Sequence, residues 1–276
     1  MDVQGISPAF GDTSYLMLGA LLLFLILFAA YLRREGRRRK SNGAPTALRP
    51  IAGYARAREG FATAAETGRA VHVSPGTGSF TDTGVRAAST LAGMSVVEAV
   101  SRVSAITGAP LQATTNAAVT FALTENALRK GYQRAGWPLE NESGGARFLT
   151  HNDSIAYMAA ASEVASRNKV SQAVMAGHFG PEVLFLMEAQ RRTGAVQIAG
   201  SSDPQGLAVM SVSADHTLTG EEIFASGAYL EHRASHVASL LSQDGLRWAI
   251  VLLIIAGFIL VNVLGQSPTQ LLSYYP

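Results

Sequence analysis

The chain of 276 residues contains no cysteine. Disulfides, thiolate nucleophiles and cysteine-ligated iron–sulfur clusters are therefore excluded. The motifs that name a reaction are missing too. No G-x-G-x-x-G, phosphate-loop G-x-x-x-x-G-K-[ST] or H-E-x-x-H occurs. No G-x-S-x-G nucleophile elbow occurs either. Charge is sparse, at 15% of residues, and the net charge is +2.

Hydrophobic residues, by contrast, make up 48% of the chain. Two uncharged runs hold many of them: Tyr15 to Leu32, and Trp248 to Leu264. Each reaches the ~17 to 20 apolar residues that a transmembrane helix needs. Soluble helices are seldom apolar all round. The first run lacks the basic flank of a cleavable signal, because Asp2 and Asp12 precede it and no Lys or Arg does. It reads as an anchor. Arg33, Arg34, Arg37, Arg38, Arg39 and Lys40 follow it directly, and Arg247 precedes the second run. The positive-inside rule puts those flanks in the cytoplasm. The expected layout is an extracytoplasmic N-terminus (1–14), a span (15–32), a basic juxtamembrane linker (33–50), a cytoplasmic domain (51–245), a second span (248–264) and an extracytoplasmic tail (265–276). The location is the cell (inner) membrane, and the first partner is the bilayer. The topology signal already accounts for the basic run, so no nucleic acid is expected.

Between the spans, short apolar runs end in polar loops, and alanine-rich stretches follow. The runs are 71–75, 111–116, 146–153, 172–180, 195–203 and 216–220. The helices expected after them lie near 85–107, 117–135, 154–167, 181–193, 204–214 and 221–243. Residues 50–70 have helical spacing as well. Gly108, Gly136 and Gly194 stand where C-terminal glycine caps belong. Gly245 is expected to break the last helix from the second span. Strand-then-helix units in series predict an α/β fold: a Rossmann-like parallel sheet of about six βα units, flanked by two transmembrane helices.

In such folds ligands bind beyond the carboxyl ends of the strands. The residues expected there are Gly76, Thr77, Gly78, Ser79, Thr115, Asn116, His178, Gly180, Ser201 and Ser202. Backbone N–H groups at helix starts favour an anion there. A nucleotide or other phosphate-bearing molecule is the expected ligand class. The same small polar residues are also the preferred helix N-caps, so a site and plain capping both remain open. Candidate acid–base groups are His178, Glu182, Asp153 and His151, with His178 first. His232 and His236 are spaced i, i+4, but a third ligand for zinc is not apparent, so no metal is expected.

The segment Gly220 to Leu230, GEEIFASGAYL, and the stretch Gly177 to Glu182 resemble uncharacterised bacterial membrane proteins that carry a domain of unknown function. The resemblance covers roughly residues 50 to 264. It implies a membrane location and a cytoplasmic α/β domain, and it carries over no catalytic residue. Three functions are in contention. The first is a homo-oligomeric scaffold, suggested by the small residues Ala156, Ala159, Ala160, Ala161 and Ala165. The second is a sensor that binds a nucleotide-like or anionic molecule at the strand ends. The third is an enzyme using His178 with a nearby carboxylate.

Overall fold

A computed structural model describes residues 12–40, 48–137, 145–151, 153–230 and 234–264. The chain divides into two units, Leu48–His232 and the terminal segments Met1–Ala47 with Arg233–Pro276.

The first unit is an α/β sandwich. Helix α2 (Ala52–Thr67) leads into strand β1 (Val71–Gly76), and five further units follow. They are α3 (Val85–Thr107) to β2 (Leu111–Thr115), α4 (Ala118–Ala135) to β3 (Ala146–Phe148), and α5 (Ser154–Arg167) to β4 (Gln172–His178). Then come α6 (Val183–Arg192) to β5 (Val196–Ser201) and α7 (Pro204–Ser213) to β6 (His216–Thr217). All six strands pair in parallel, in the order β3-β2-β1-β4-β5-β6. This is the doubly wound order whose reversal point lies between β1 and β4.

β1 and most of β4 and β5 are buried, as strands covered on both faces must be. Tyr157, Met158, Ala161 and Ala165 of α5 pack with Val183, Leu186 and Met187 of α6 over Ala173, Met175 and Ala199 of the sheet. Ala161 and Ala165 are thus internal packing residues. On α3, Gly93 lets the helix touch the sheet backbone, because a Cβ there would sit 2.4 Å from the Ala176 carbonyl oxygen. Gly108 and Gly136 close α3 and α4 in the left-handed conformation that favours glycine.

The stretch expected as one helix over 221–243 is instead divided. Residues Gly220–Ala225 form a 3₁₀ turn opened by a Thr219–Glu222 capping box, and Ser226–Tyr229 form a single helical turn, α8. Tertiary contacts explain the break. The Tyr54 hydroxyl of α2 donates to the Glu222 carbonyl at 2.7 Å, Arg58 donates to the Tyr229 carbonyl at 2.6 Å, and Tyr54 stacks on Tyr229. The segment that carried the family resemblance is therefore held against the first helix of the domain.

The second unit contains two long helices, α1 (Asp12–Lys40) and α9 (Ala234–Leu264). At 1.5 Å per residue each spans about 45 Å. Both are long and apolar enough to cross a bilayer, by length and composition. Two expectations need correcting. The basic residues 33–40 continue α1 and do not begin a linker. Gly245 does not break α9; it packs on α1, where an added Cβ would lie 3.4 Å from Leu27 Cδ1 and 3.7 Å from Tyr31. Glycine costs a helix about 1 kcal/mol relative to alanine but allows close helix approach. Of the His232/His236 pair, His232 lies outside the described residues, so the pair's geometry is not described.

Candidate functional site

The carboxyl ends of β1, β2, β4 and β5 meet at the reversal point of the sheet. They open into a cleft of about 380 Å³ lined from the loops after all four strands. Of the residues expected there, Thr77, Ser79, Asn116, His178 and Gly180 line it, and so does Glu182. Thr81, Asp82, Arg86, Ser154, Pro181, Asp203 and Gln205 complete the wall.

The two glycines at the end of β1, Gly76 within it and Gly78 just past it, answer to close contacts. Gly76 has φ +100°, and a Cβ on it would fall 2.4 Å from the His178 carbonyl oxygen. A Cβ on Gly78 would fall 2.3 Å from Thr90 Oγ1 of α3. Thr77 N–H donates to the same His178 carbonyl at 2.8 Å. These glycines let the end of β1 lie directly on β4 and α3. The loop that follows is closed on itself: Ser79 N–H donates to the Asp82 carboxylate at 2.8 Å, and Asp82 N–H donates to the Ser79 carbonyl at 3.1 Å. It is eight residues long before α3 begins, unlike the tight turn of a dinucleotide site.

Capping is divided among the helices. Asp153 caps α5 by accepting from Ala156 N–H, and Asp203 caps α7 by accepting from Gly206 N–H. The starts of α3, α4 and α6 carry no side-chain cap. Asp153 and His151 are not among the residues lining the cleft. Ser201 is occupied as a staple. Its hydroxyl accepts from Phe179 N–H and Asp203 N–H and donates to the Phe179 carbonyl. Thr115 and Asn116 differ from it: both are buried, and neither Thr115 Oγ1 nor Asn116 Oδ1 has a partner.

His178 ends β4, and its Nδ1 hydrogen-bonds the Ser202 hydroxyl at 3.1 Å. Burial, and then the positive charge of Arg86, lower its pKa below the ordinary histidine value, against the opposing pull of Asp203, Asp82 and Glu182. The net shift favours the neutral ring. A neutral histidine beside a hydroxyl is two parts of a nucleophile relay. The third part is absent among the described residues, because no carboxylate hydrogen-bonds the ring. The described residues also contain no group of three or more His, Asp and Glu side chains able to hold a metal ion.

A fully buried polar network stands behind the cleft. Gln190 Nε2–H donates to His72 Nδ1 at 2.9 Å, so His72 Nε2–H donates to Thr114 Oγ1, also at 2.9 Å. The Thr114 and Ser74 hydroxyls donate to the Tyr157 oxygen at 2.8 and 2.7 Å, and Tyr157 donates to the Thr114 carbonyl at 2.9 Å. Ser74 Oγ in turn accepts from Gly76 N–H at 3.2 Å. Burial lowers the His72 pKa to about 4 and pushes Tyr157 up to about 12. The network ties the sheet interior to the backbone of the β1 loop.

Comparison with known families extends the resemblance to nearly the whole length. The domain of unknown function DUF6754 matches residues 11–272. The chain belongs to that family. The match takes in both apolar helices as well as the α/β unit. No curated protein and no solved structure matches the chain.

Sequence reading missed Asp82 and Arg86. Asp82 sits in the β1–α3 loop and Arg86 in the first turn of α3, both beyond the strand end. Their i, i+4 spacing, which forms an ion pair at 3.5 Å, was the available signal.

Proposed function

We propose that the chain is a membrane-tethered binding module whose carboxyl-edge cleft takes a polar small molecule bearing hydroxyl or ammonium groups. The observation behind this is the Asn116 carboxamide, which is 2% exposed, forms part of the cleft wall and leaves Oδ1 unpartnered. A buried oxygen of this kind costs about 1–3 kcal/mol, and a donor on a ligand removes that cost. Charge balance narrows the ligand. Asp82, Glu182 and Asp203 stand against one guanidinium, Arg86, which is already paired with Asp82. Carboxylates accept hydrogen bonds from hydroxyls and ammonium groups and repel phosphates. This supports a neutral or cationic ligand over a phosphate-bearing one.

The membrane tether rests on α1 and α9. Leu18, Leu21, Leu22, Leu25 and Ile26 of α1, and Leu252, Leu253, Ile254 and Phe258 of α9, are exposed. So much apolar surface is unfavourable in water and suits lipid. The arginines at the end of α1 favour a cytoplasmic location for the α/β unit.

The test is thermal unfolding of the full chain in detergent with polyols and amino sugars, and with inorganic phosphate as the opposing probe. A ligand at about 100 times its Kd stabilises by about 2.7 kcal/mol. The proposal expects stabilisation by a hydroxyl- or ammonium-bearing compound, lost in Asn116→Leu. Stabilisation by phosphate alone, or equal shifts in the variant, contradicts it.

Self-association is the second reading. Its observation is the apolar surface of the α/β unit, where Val212 is 85% exposed and Leu91, Ile155 and Phe185 are 60–63% exposed.

A further inference from the structure

We propose a second ligand site, at the opposite, amino-terminal edge of the same sheet, for a small neutral molecule with adjacent hydrogen-bond donor and acceptor groups. It is independent of the carboxyl-edge cleft. A cavity of about 390 Å³ lies between α2 and the first residues of β4, β5 and β6. That is within the usual range of small-molecule pockets.

Gln172 is the residue that points to a ligand. It opens β4, is 0% exposed and lines the cavity, yet neither its amide nitrogen nor its amide oxygen has a partner. The neighbouring Ser171 Oγ also lacks one and lines the same space. Buried carboxamides are ordinarily satisfied, because an unmade hydrogen bond in the interior is costly. The fold also makes room for this one. Gly60 stands in the middle of α2, where glycine disfavours the helix. A Cβ there would lie 1.7 Å from Gln172 Oε1, so any other residue would displace the carboxamide. An apolar side chain at 172 would remove the polar cost.

The charged groups around the cavity have partners of their own. Arg56 pairs with Glu59 at 2.5 Å, and Asp215 accepts from Gln197 N–H at 2.8 Å. The buried unmet hydrogen-bonding capacity is thus that of a carboxamide and a hydroxyl. A carboxamide donates and accepts side by side, so it complements a nucleobase edge or a primary amide. Bidentate carboxamide–adenine pairing is the established example of that geometry.

Saturation-transfer NMR on the full chain in detergent micelles tests this, with adenosine and nicotinamide as separate probes. The expected result is transfer to the base protons of adenosine or to the ring protons of nicotinamide, and the responding probe distinguishes a base from an amide. Gln172→Leu weakens that binding about tenfold or more. Thr63→Phe, at an exposed α2 position on the cavity wall, blocks it without touching the core. Asn116→Leu, at the carboxyl-edge cleft, leaves it unchanged. No transfer to either probe overturns the proposal, as does transfer that persists in both Gln172→Leu and Thr63→Phe.

Discussion

The buried His72 network makes stability depend on pH in a calculable way. In the folded chain burial holds the His72 pKa at about 4, against about 6.5 for an exposed ring. The folded state therefore disfavours the proton, and between those values the unfolded chain binds more of it. Stability from this group is complete above about pH 6.5 and is lost as the pH falls toward 4. A shift of about 2.5 units at about 1.4 kcal/mol per unit gives a maximum loss of about 3 kcal/mol, most of it reached by about pH 4.5. His72→Gln removes the titrating ring and keeps a hydrogen-bonding side chain between Gln190 and Thr114. At neutral pH the variant is less stable by about 1–3 kcal/mol, because buried partners lose geometry. On acidification wild type loses stability faster than the variant, and the gap closes by about 2.5 kcal/mol by about pH 4.5. Denaturant titration of the full chain in detergent, followed by circular dichroism at several pH values, measures both curves. Parallel curves would refute the assignment of a buried, neutral His72.

Other perturbations separate packing from binding. Gly78→Val forces a methyl-bearing carbon against Thr90 Oγ1, and thermal unfolding should show a loss of about 1–3 kcal/mol with or without added ligand. Asp153→Ala removes the α5 cap and lowers stability by about 1 kcal/mol, while ligand stabilisation stays as in wild type, because Asp153 does not line the cleft. The absence of cysteine allows clean topology mapping. In intact cells an impermeant maleimide should label Ser7→Cys and should label Ser79→Cys only after lysis; the reverse pattern would invert the proposed orientation.

Much of the architecture was legible because local chemistry sets it. Gly108 and Gly136 end α3 and α4, and the apolar runs at β1, β2, β4 and β5 are largely buried strands. Strand order was not legible, because it depends on pairings such as Val71 with Gln172, which are a hundred residues apart. The C-terminal helix was misjudged for a similar reason. Arg58 and Tyr54 clamp the 220–230 segment to α2, and no local signal announces a partner so far away in sequence. The strand-end residues of the cleft followed from the fold class alone. Its charge followed only in part: Glu182 was among the candidates, but Asp82 and Arg86 enter through one loop and the first turn of α3. The alanines of α5 show the limit of composition: Ala161 and Ala165 are small because Met158, Leu186 and Met187 crowd them within the domain.

The central claim, that the carboxyl-edge cleft holds a small molecule, is tested most directly by native mass spectrometry of the full chain released gently from detergent. The account predicts a discrete mass above that of the polypeptide in wild type and its loss in Asn116→Leu. Polypeptide mass alone, or integer multiples of it, in both proteins would contradict the binding account, and the multiples would favour assembly in its place.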